Sequence, residues 1–314
     1  MQSTTMDAAF SDDLQNWELP TRFERGIRYH DLPRGTQCWQ SVEKVGEGTS
    51  GEVWKERRYQ SPLSSTWSNT CRAVKHIPKR KGNSARTSKR EIKALTTFSN
   101  RSVGEYQQHF VQILGWFQDE THWYIAMEFV EHGNLQQHIN RGCLPEVEAA
   151  LITSQIARAL LYMHAKKLVH RDLKPLNILV AHPGPRWHVK VGDFGITRDL
   201  SETRTGTHHI GTFGYMAPEV WDASQRYTFA IDVWALGAIT FCMRTGSPPF
   251  PNVMDLARYP QDPTLFPTLK LSSSTQACRG FITGAMAAIP KERLTITEAL
   301  AHHWLSRSLK LSQR

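Results

Sequence analysis

Short apolar runs separated by turn-forming residues occupy the chain between residues 39 and 129. The runs read QSVEKVG, GEVWKERRY, CRAVKHI, FVQILGWFQ and WYIAMEFV, and most are rich in β-branched or aromatic residues. One stretch in this region, SKREIKALTTF (88–98), has apolar positions at helical spacing instead. The pattern therefore predicts a small sheet accompanied by a single helix.

Helical spacing dominates the rest of the chain. Within 145–167, the residues Ile152, Ile156, Leu160 and Met163 recur at intervals of three or four positions. Further helical patterns cover 228–244, 274–287 and 295–305. A β-rich region followed by a helix-rich region implies two lobes, and a cleft between lobes is a common place for a ligand.

Length and charge narrow the class of protein only partly. The 314 residues suit one large domain or two lobes, and the formal net charge is +9. Part of this charge lies in PKRKGNSARTSKR (78–90). A solvated loop explains the stretch, and so does a nuclear-import or phosphate-facing patch, so both interpretations stay open. Nucleic acid is not expected to be the main partner.

Cysteine usage and the termini bear on the cellular compartment. Five cysteines, an odd number without a C-x-x-C pair, favour reduced thiols over a disulfide framework. Residues 1–14 lack the basic and apolar regions of a secretory signal, and the apolar stretch 233–243 is too short to cross a bilayer. We therefore expect an intracellular protein, in the cytoplasm, the nucleus or both, without a membrane partner.

Three segments fall outside the regular patterns. Residues 1–38 are mixed polar, and we interpret them as an extension that precedes the domain. The stretch 61–70 is interpreted as a variable loop between strands, and 307–314 as a C-terminal tail.

A glycine-rich stretch, VGEGTSGEV (45–53), is the first candidate for chemistry. Glycines at positions 46, 48 and 51 allow a backbone to approach phosphates closely, although a tight hairpin explains them about as well. In a dinucleotide-binding fold such glycines open a helix, whereas here a strand-like run follows. A dinucleotide-binding fold is therefore disfavoured.

Lys75 stands among apolar residues in CRAVKHI, so its ammonium group needs a partner. Glu91 and a bound phosphate are the two candidates. Glu91 has a competing explanation, because Ser88 and Glu91 have the spacing of a helix capping box.

Two polar clusters follow in the helical region. In HRDLKPLN (170–177), Asp172 has the chemistry of a base for a hydroxyl, Lys174 can neutralise a phosphoryl group, and Asn177 offers an amide oxygen to a hard cation. In VGDFG (191–195), Asp193 can also hold magnesium. A solitary D-F-G is common in turns and means little alone.

The order of these motifs changes that assessment. The glycine-rich loop, A-V-K, Glu91, H-R-D-L-K-P-L-N, D-F-G and A-P-E (217–219) follow one another in one chain. This series resembles the eukaryotic protein kinase superfamily from about Trp39 to Leu305. The resemblance implies an α+β, bilobal protein kinase-like fold: a domain over 39–306 with a small β-rich N-lobe (39–129), a hinge (128–133) and a larger helical C-lobe (134–306).

The resemblance also implies the reaction and its cofactors, ATP and Mg²⁺. The catalytic residues would be Asp172, Lys174, Lys75, Glu91 and Thr212, with Glu91 as the partner of Lys75. The nucleotide-binding residues would be Val45, Gly46, Gly48, Gly51, Val53, Ala73, Lys75, Met127, Glu128, Val130 and Leu179. The metal ligands would be Asn177 and Asp193. Asp232 would brace the catalytic loop, and Arg293 would pair with Glu219.

Within that superfamily, two features favour serine and threonine as acceptors on protein substrates. Lys174 stands two residues after Asp172, and Thr212 stands where the serine/threonine branch has a threonine that bonds this aspartate. The alternative is a pseudokinase, a binding protein on the same fold, which would have lost a catalytic residue. None of Lys75, Asp172, Asn177 or Asp193 is lost.

The resemblance to protein kinases also bears on regulation and substrate preference. Arg171 before Asp172 marks kinases that are switched through the activation segment, so we predict that phosphorylation near Thr205 or Thr207, read by Arg171 and Arg198, raises activity. Leu176 replaces the glutamate with which arginine-directed relatives receive their substrates. A strong preference for arginine is therefore not expected.

Overall fold

The computed structural model describes residues 12–48, 51–60, 66–79, 84–200, 211–221 and 228–306. The chain divides into two compact units. Unit 1 consists of 1–107 and 111–130, and unit 2 consists of 108–110 and 131–314. A sheet-based unit followed by a helical unit confirms the predicted α+β fold class.

In its described residues, unit 1 contains one seven-stranded sheet, two α-helices and most of a 3-10 helix, Arg101–His109. Helix α1 is Asp12–Gln15 and helix α2 is Ser84–Ser99. The strands are β1 (Thr21–Glu24), β2 (Ile27–Leu32), β3 (Gly35–Gly48), β4 (Gly51–Tyr59), β5 (Trp67–Pro78), β6 (Ile113–Gln118) and β7 (His122–Glu128). Their order across the sheet is β1-β2-β3-β4-β5-β7-β6, and every neighbouring pair is antiparallel.

The two faces of this sheet bury different residues, because successive side chains of a strand point to opposite sides. On one face, Val74 of β5 packs with Phe117 and Tyr124 of β6 and β7, and Leu19 covers this cluster. Lys75 of β5 belongs to the other face and is also buried. The strand β5 therefore presents a core to each side.

Residues 21–38 are part of the sheet, which their polar sequence did not indicate. Strand β2 pairs with β3 from Ile27↔Gln40 to Leu32↔Gly35, and β1 pairs with β2. The reason is that inward positions of β2 carry polar side chains, so the alternation that normally reveals a strand is absent. His30, for example, is buried.

Unit 2 is built mainly of helices. They are α3 (Leu135–Ile139), α4 (Glu146–Ala165), α5 (Ala230–Thr245), α6 (Val253–Arg258), α7 (Gln276–Ala285) and α8 (Ile296–Ala301). Helices α4 and α5 form its centre, where Thr153 and Thr240 exchange a hydrogen bond of 3.0 Å. Two short antiparallel ladders join β8 (Leu168–Val169) to β11 (Arg198–Asp199) and β9 (Ile178–His182) to β10 (His188–Val191).

The predicted helices and strands are present, with three corrections. Helix α2 begins at Ser84, so Ser88 lies within the helix and the capping-box interpretation is wrong. The loop predicted over 61–70 ends earlier, because β5 starts at Trp67. The helix predicted over 295–305 is interrupted at His302: α8 ends at Ala301, residues 303–306 are helical again, and Thr295 caps the first turn of α8 together with Glu298.

Candidate active site

Lys75 and Glu91 form a buried ion pair within unit 1. The Lys75 Nζ lies 2.6 Å from the Glu91 Oε1, and the two side chains are 6% and 1% exposed. Strand β5 supplies the lysine and helix α2 supplies the glutamate. The pairing that the sequence left open is thus settled in favour of Glu91 as the partner of Lys75.

Three of the predicted nucleotide-binding residues share a face of the sheet with Lys75. Val53 is the cross-strand partner of Lys75, and Met127 is the partner of Ala73. Directly opposite residues of an antiparallel pair lie on the same face. Alternation along β5 adds Ala73 to the face that carries Lys75.

The glycine-rich stretch is a hairpin between β3 and β4, in which Gly48 pairs with Gly51 and Gly46 pairs with Val53. Gly51 has φ +152°, and a Cβ there would lie 2.0 Å from the His76 carbonyl oxygen, so packing alone requires glycine. At Gly46 a Cβ would lie 3.6 Å from Val53, an ordinary contact. Packing therefore does not explain Gly46, whereas close approach of a ligand to the backbone does.

The remaining predicted nucleotide contacts lie on strands or, for Val130, just after one. Val45 is exposed on β3, and Val130 follows β7 in unit 1. Glu128 donates its backbone N–H to the Gln112 carbonyl at 3.0 Å, so this N–H is engaged within the protein. Leu179 lies in β9 of unit 2 and faces Lys190 across the ladder.

A compact polar cluster in unit 2 surrounds Asp172. The Lys174 ammonium donates to the Asp172 Oδ2 at 2.7 Å and to the Thr212 Oγ1 at 2.6 Å. Thr212 in turn donates its hydroxyl to the Asp172 Oδ1 at 2.8 Å. Both carboxylate oxygens are thereby oriented, and the bond from Thr212 is the one that the sequence predicted.

The two predicted metal ligands are brought near each other by the backbone. Asn177 accepts on its carbonyl the N–H of Gly192, the residue before Asp193, at 2.9 Å. The Asn177 side-chain nitrogen donates to the Asp172 carbonyl at 2.7 Å, which fixes the amide orientation. Asp193 has φ +57°, an uncommon value for a non-glycine residue that often marks functional sites. A carboxylate and an amide oxygen form a donor set that suits Mg²⁺.

Asp232 of α5 holds the backbone of this loop. Its carboxylate accepts the N–H of His170 at 3.0 Å and the N–H of Arg171 at 3.1 Å. His164 provides a third contact at 3.0 Å, which sequence reasoning missed because the two residues are 68 positions apart. Burial alone would raise the pKa of Asp232. The hydrogen bond and charge of His164, together with the contacts of His170, outweigh this effect, so the pKa lies below its usual value. The carboxylate thus stays ionised and can brace the loop.

The second predicted structural pair is also formed. Arg293 donates to both carboxylate oxygens of Glu219, at 2.7 and 3.0 Å. Both residues are buried. This bidentate pair fixes the segment that follows Thr212 against the helical unit.

The proposed regulatory residues are described only in part. Thr205 and Thr207 lie outside the described residues. Arg171 has φ +70° and donates its Nε to the Ile196 carbonyl at 2.6 Å, while Arg198 pairs with Val169 between β11 and β8. Arg198 therefore lies in the segment that joins Asp193 to the undescribed residues 201–210, and Arg171 contacts this segment through Ile196.

Leu176, the residue that bears on substrate preference, presents its apolar side chain at the surface. It is 50% exposed on the turn between Lys174 and Asn177. Asn134 caps helix α3, and Cys242 is buried, with the Tyr215 hydroxyl 3.5 Å from its sulfur. Burial raises the pKa of Cys242.

Comparison with known proteins identifies the class to which this arrangement belongs. The family described as "Protein kinase domain" matches residues 39–305. The chain therefore belongs to the protein kinase family.

Individual relatives are named serine/threonine or calcium/calmodulin-dependent kinases. The calcium/calmodulin-dependent protein kinase type 1B of Rattus norvegicus is 32% identical over 285 residues, which cover 86% of this chain and 76% of that protein. Its Homo sapiens counterpart is 33% identical over the same length. Serine/threonine-protein kinase 36 of Pongo abelii is 30% identical over 271 residues, covering 84% of this chain and 19% of that protein. Within the described ranges, no helix combines the length and apolarity needed to cross a membrane.

Proposed function

We propose that this protein transfers the γ-phosphate of ATP to serine or threonine hydroxyls of protein substrates. The observation that carries the proposal is the cluster in which Lys174 and Thr212 orient both oxygens of Asp172. An oriented carboxylate next to a fixed ammonium can receive a hydroxyl proton while the ammonium stabilises charge on the transferred group.

Each remaining residue has a role in this proposal. The backbone at Gly46, Gly48 and Gly51 would cover the phosphates of ATP, and Lys75 would hold them while Glu91 fixes the lysine. Val45, Val53, Ala73, Met127, Glu128, Val130 and Leu179 would surround the adenine ring. Asn177 and Asp193 would hold Mg²⁺, which neutralises phosphate charge when it is bound.

Phosphate transfer from labelled ATP to a generic protein substrate tests the proposal directly. We expect transfer by the unaltered protein, and a loss of at least about 100-fold in Asp193→Asn and Asp172→Asn. Glu292→Gln removes an exposed carboxylate of the same unit and should leave transfer unchanged. Products should carry phosphoserine or phosphothreonine.

The same assay distinguishes the kinase from the alternative, a binding protein on the same fold. If the unaltered protein transfers no phosphate to itself or to substrates, although it is folded, then a scaffold or binding role on the kinase fold is favoured. If the product is phosphotyrosine, the acceptor assignment is wrong while the transfer mechanism stands.

We further propose that phosphorylation at Thr205 or Thr207 activates the enzyme. Arg171 and Arg198 support this, since Arg198 lies in the segment leading to residues 201–210, Arg171 contacts that segment at Ile196, and a phosphate attracts guanidinium groups. Phosphopeptide mapping of active enzyme should find a modified residue between 197 and 212. Full activity without modification in this segment would contradict the proposal.

We also propose that the protein acts in the cytoplasm or the nucleus. Five cysteines without a disulfide are consistent with a reducing compartment, the cytoplasm or the nucleus. Fractionation of cells that express the protein would test this.

A further inference from the structure

The region before the family match is joined to the sheet of unit 1 at both of its edges. Residues before Trp39 lie outside the matched range 39–305. At one edge, β1 and β2 extend the sheet from β3. At the other edge, the Leu19 N–H donates to the Trp116 carbonyl at 2.8 Å, and the Trp116 N–H donates to the Trp17 carbonyl at 2.9 Å. We call residues 12–32 the N-terminal strap.

A glycine on β6 is shaped to receive this strap. Gly115 has φ +148°, and a Cβ at that position would lie 2.6 Å from the Leu19 Cγ. Leu19 in turn packs on the cluster of Val74, Phe117 and Tyr124. The strap therefore fills space that the matched domain alone would leave open on this face of the sheet.

A charged group of the strap completes a buried ion cluster. Glu56 of β4 lies between Arg72 of β5, whose Nε and Nη2 are 2.8 and 2.6 Å from its Oε2, and Arg28 of β2, whose Nη1 is 2.7 Å from its Oε1. The Glu56 side chain is fully buried. A buried carboxylate needs its partners, so the strap satisfies a charge that belongs to the matched domain.

The strap also reaches the helix that carries Glu91. Helix α1 contacts α2, and Leu14 of α1 is buried. The Leu14 carbonyl accepts the indole N–H of Trp116 at 2.8 Å. Strand β6 contacts α2 as well, and the Ile113 N–H donates to the Ser99 hydroxyl at 2.8 Å. Thus α1, β6 and α2 form one connected group within unit 1.

We propose that the N-terminal strap is a positioning element for catalysis: through α1 and β6 it holds α2 where Glu91 pairs with Lys75. The proposal rests on the role of Lys75 given under the proposed function. Without Glu91, Lys75 would remain charged, but its ammonium group would no longer be held in position. A displacement of about 1 Å can lower the rate about 100-fold. Loosening the strap should therefore lower the rate constant per folded enzyme, not only the stability of the fold.

The variant Leu14→Asp in the full chain tests this, because a carboxylate cannot stay at a buried apolar position without a partner. Leu14→Met preserves the apolar contact, and Arg34→Ala alters an exposed residue just beyond the strap. For each variant, kcat and the KM for ATP would be measured well below the melting temperature. Hydrogen exchange would be followed in peptides from 88–99 of α2 and from 146–165 of α4.

We expect Leu14→Asp to lower kcat by about ten-fold and to speed amide exchange in α2 but not in α4. Leu14→Met and Arg34→Ala should resemble the unaltered protein. Unchanged kcat, or exchange that rises equally in both helices, would overturn the proposal and leave the strap a purely structural element. If Leu14→Asp does not fold, Leu14→Ala replaces it with the same readouts. If the unaltered protein transfers no phosphate, the exchange comparison still tests the strap, so the two failures are distinguishable.

Discussion

Strand β5 carries a buried cation on each of its faces, and the two cations have different surroundings. Arg72 meets Glu56 with two donors and lies 4.3 Å from the ring centroid of Trp39. Lys75 meets Glu91 on the face that also carries Val53, Ala73 and Met127. Burial of an ion pair therefore does not by itself mark a catalytic group, and the neighbouring side chains on each face make the distinction.

The chemistry of the two cations agrees with this division. A guanidinium is a rigid fork that suits a fixed bidentate partner and stacks on aromatic rings, whereas an ammonium is a compact charge with three donors. Burial lowers the pKa of Arg72 to about 10, although Glu56 opposes this change, so the guanidinium stays charged at neutral pH. We infer that Arg72 serves the fold and Lys75 serves the reaction.

The largest expected effect follows from breaking the structural side of β5. Arg72→Ala removes one of the two arginines that pair with the buried Glu56, and losing one member of a buried ion cluster costs about 3–5 kcal/mol. Chemical denaturation should show this loss in the free energy of unfolding. Arg34→Ala, an exposed arginine of the same unit, should show almost none. Equal losses in the two variants would mean that the cluster does not stabilise the fold.

The catalytic side of β5 should respond in activity. Lys75→Met is expected to lower kcat/KM by about 100-fold, or about 2.7 kcal/mol of transition-state stabilisation, because the phosphates of ATP lose a fixed charge. Lys93→Met removes an exposed lysine of α2 and is the matched control. Steady-state kinetics on both variants would decide the matter. If Lys75→Met and Lys93→Met have comparable kcat/KM values, Lys75 does not contribute to catalysis.

Protonation of His30, which lies on the Arg72 face, should make the stability of the fold depend on pH. Burial, followed by the charges of Arg72 and Arg28, lowers the pKa of His30 to about 3, whereas Asp31 has the opposite influence. The unfolded chain then binds a proton below about pH 6.5 that the folded protein resists, so stability is lost as the pH falls from about 6.5 towards 3. At pH 5 the loss should be about 2 kcal/mol.

Denaturation at pH 7 and at pH 5 measures this loss, with His30→Gln as the comparison. Glutamine cannot take up the proton, so the variant should lose less stability between the two values. A part of the slope will remain, because burial also lowers the pKa of His76 to about 4. An unchanged slope in His30→Gln would show that His30 does not contribute.

The smallest expected effect comes from Arg28, the strap's own member of the ion cluster. Arg28→Met keeps the buried stem and leaves Glu56 with both donors of Arg72, so we expect a loss of about 1–2 kcal/mol in the free energy of unfolding. Thermal and chemical denaturation would be compared with those of Arg72→Ala. If Arg28→Met costs as much as Arg72→Ala, the strap supports the cluster more than the distances indicate.

The two faces of β5 also differ in how far the sequence predicted them. The face of Lys75 was predicted, because fixed motif spacings and apolar neighbours identify it. The other face was not, since Arg28, His30, Glu56 and Arg72 are polar and resemble exposed positions. The contacts from Asp172 to Thr212 and from Asp232 to the loop were predicted from the family resemblance. The bond from His164 to Asp232 was not, because no local pattern encodes a contact across 68 residues.

The bond between the Trp116 indole and the Leu14 carbonyl joins residues 102 positions apart. During synthesis residues 12–19 emerge well before their receptor on β6, which follows only after most of unit 1 has been made. At about 5–20 residues per second this interval lasts about 5–20 s, and contacts so distant in sequence form late in folding. The part of the strap before β1 would therefore spend this time without its partner on β6, which leaves it open to chaperones and proteases.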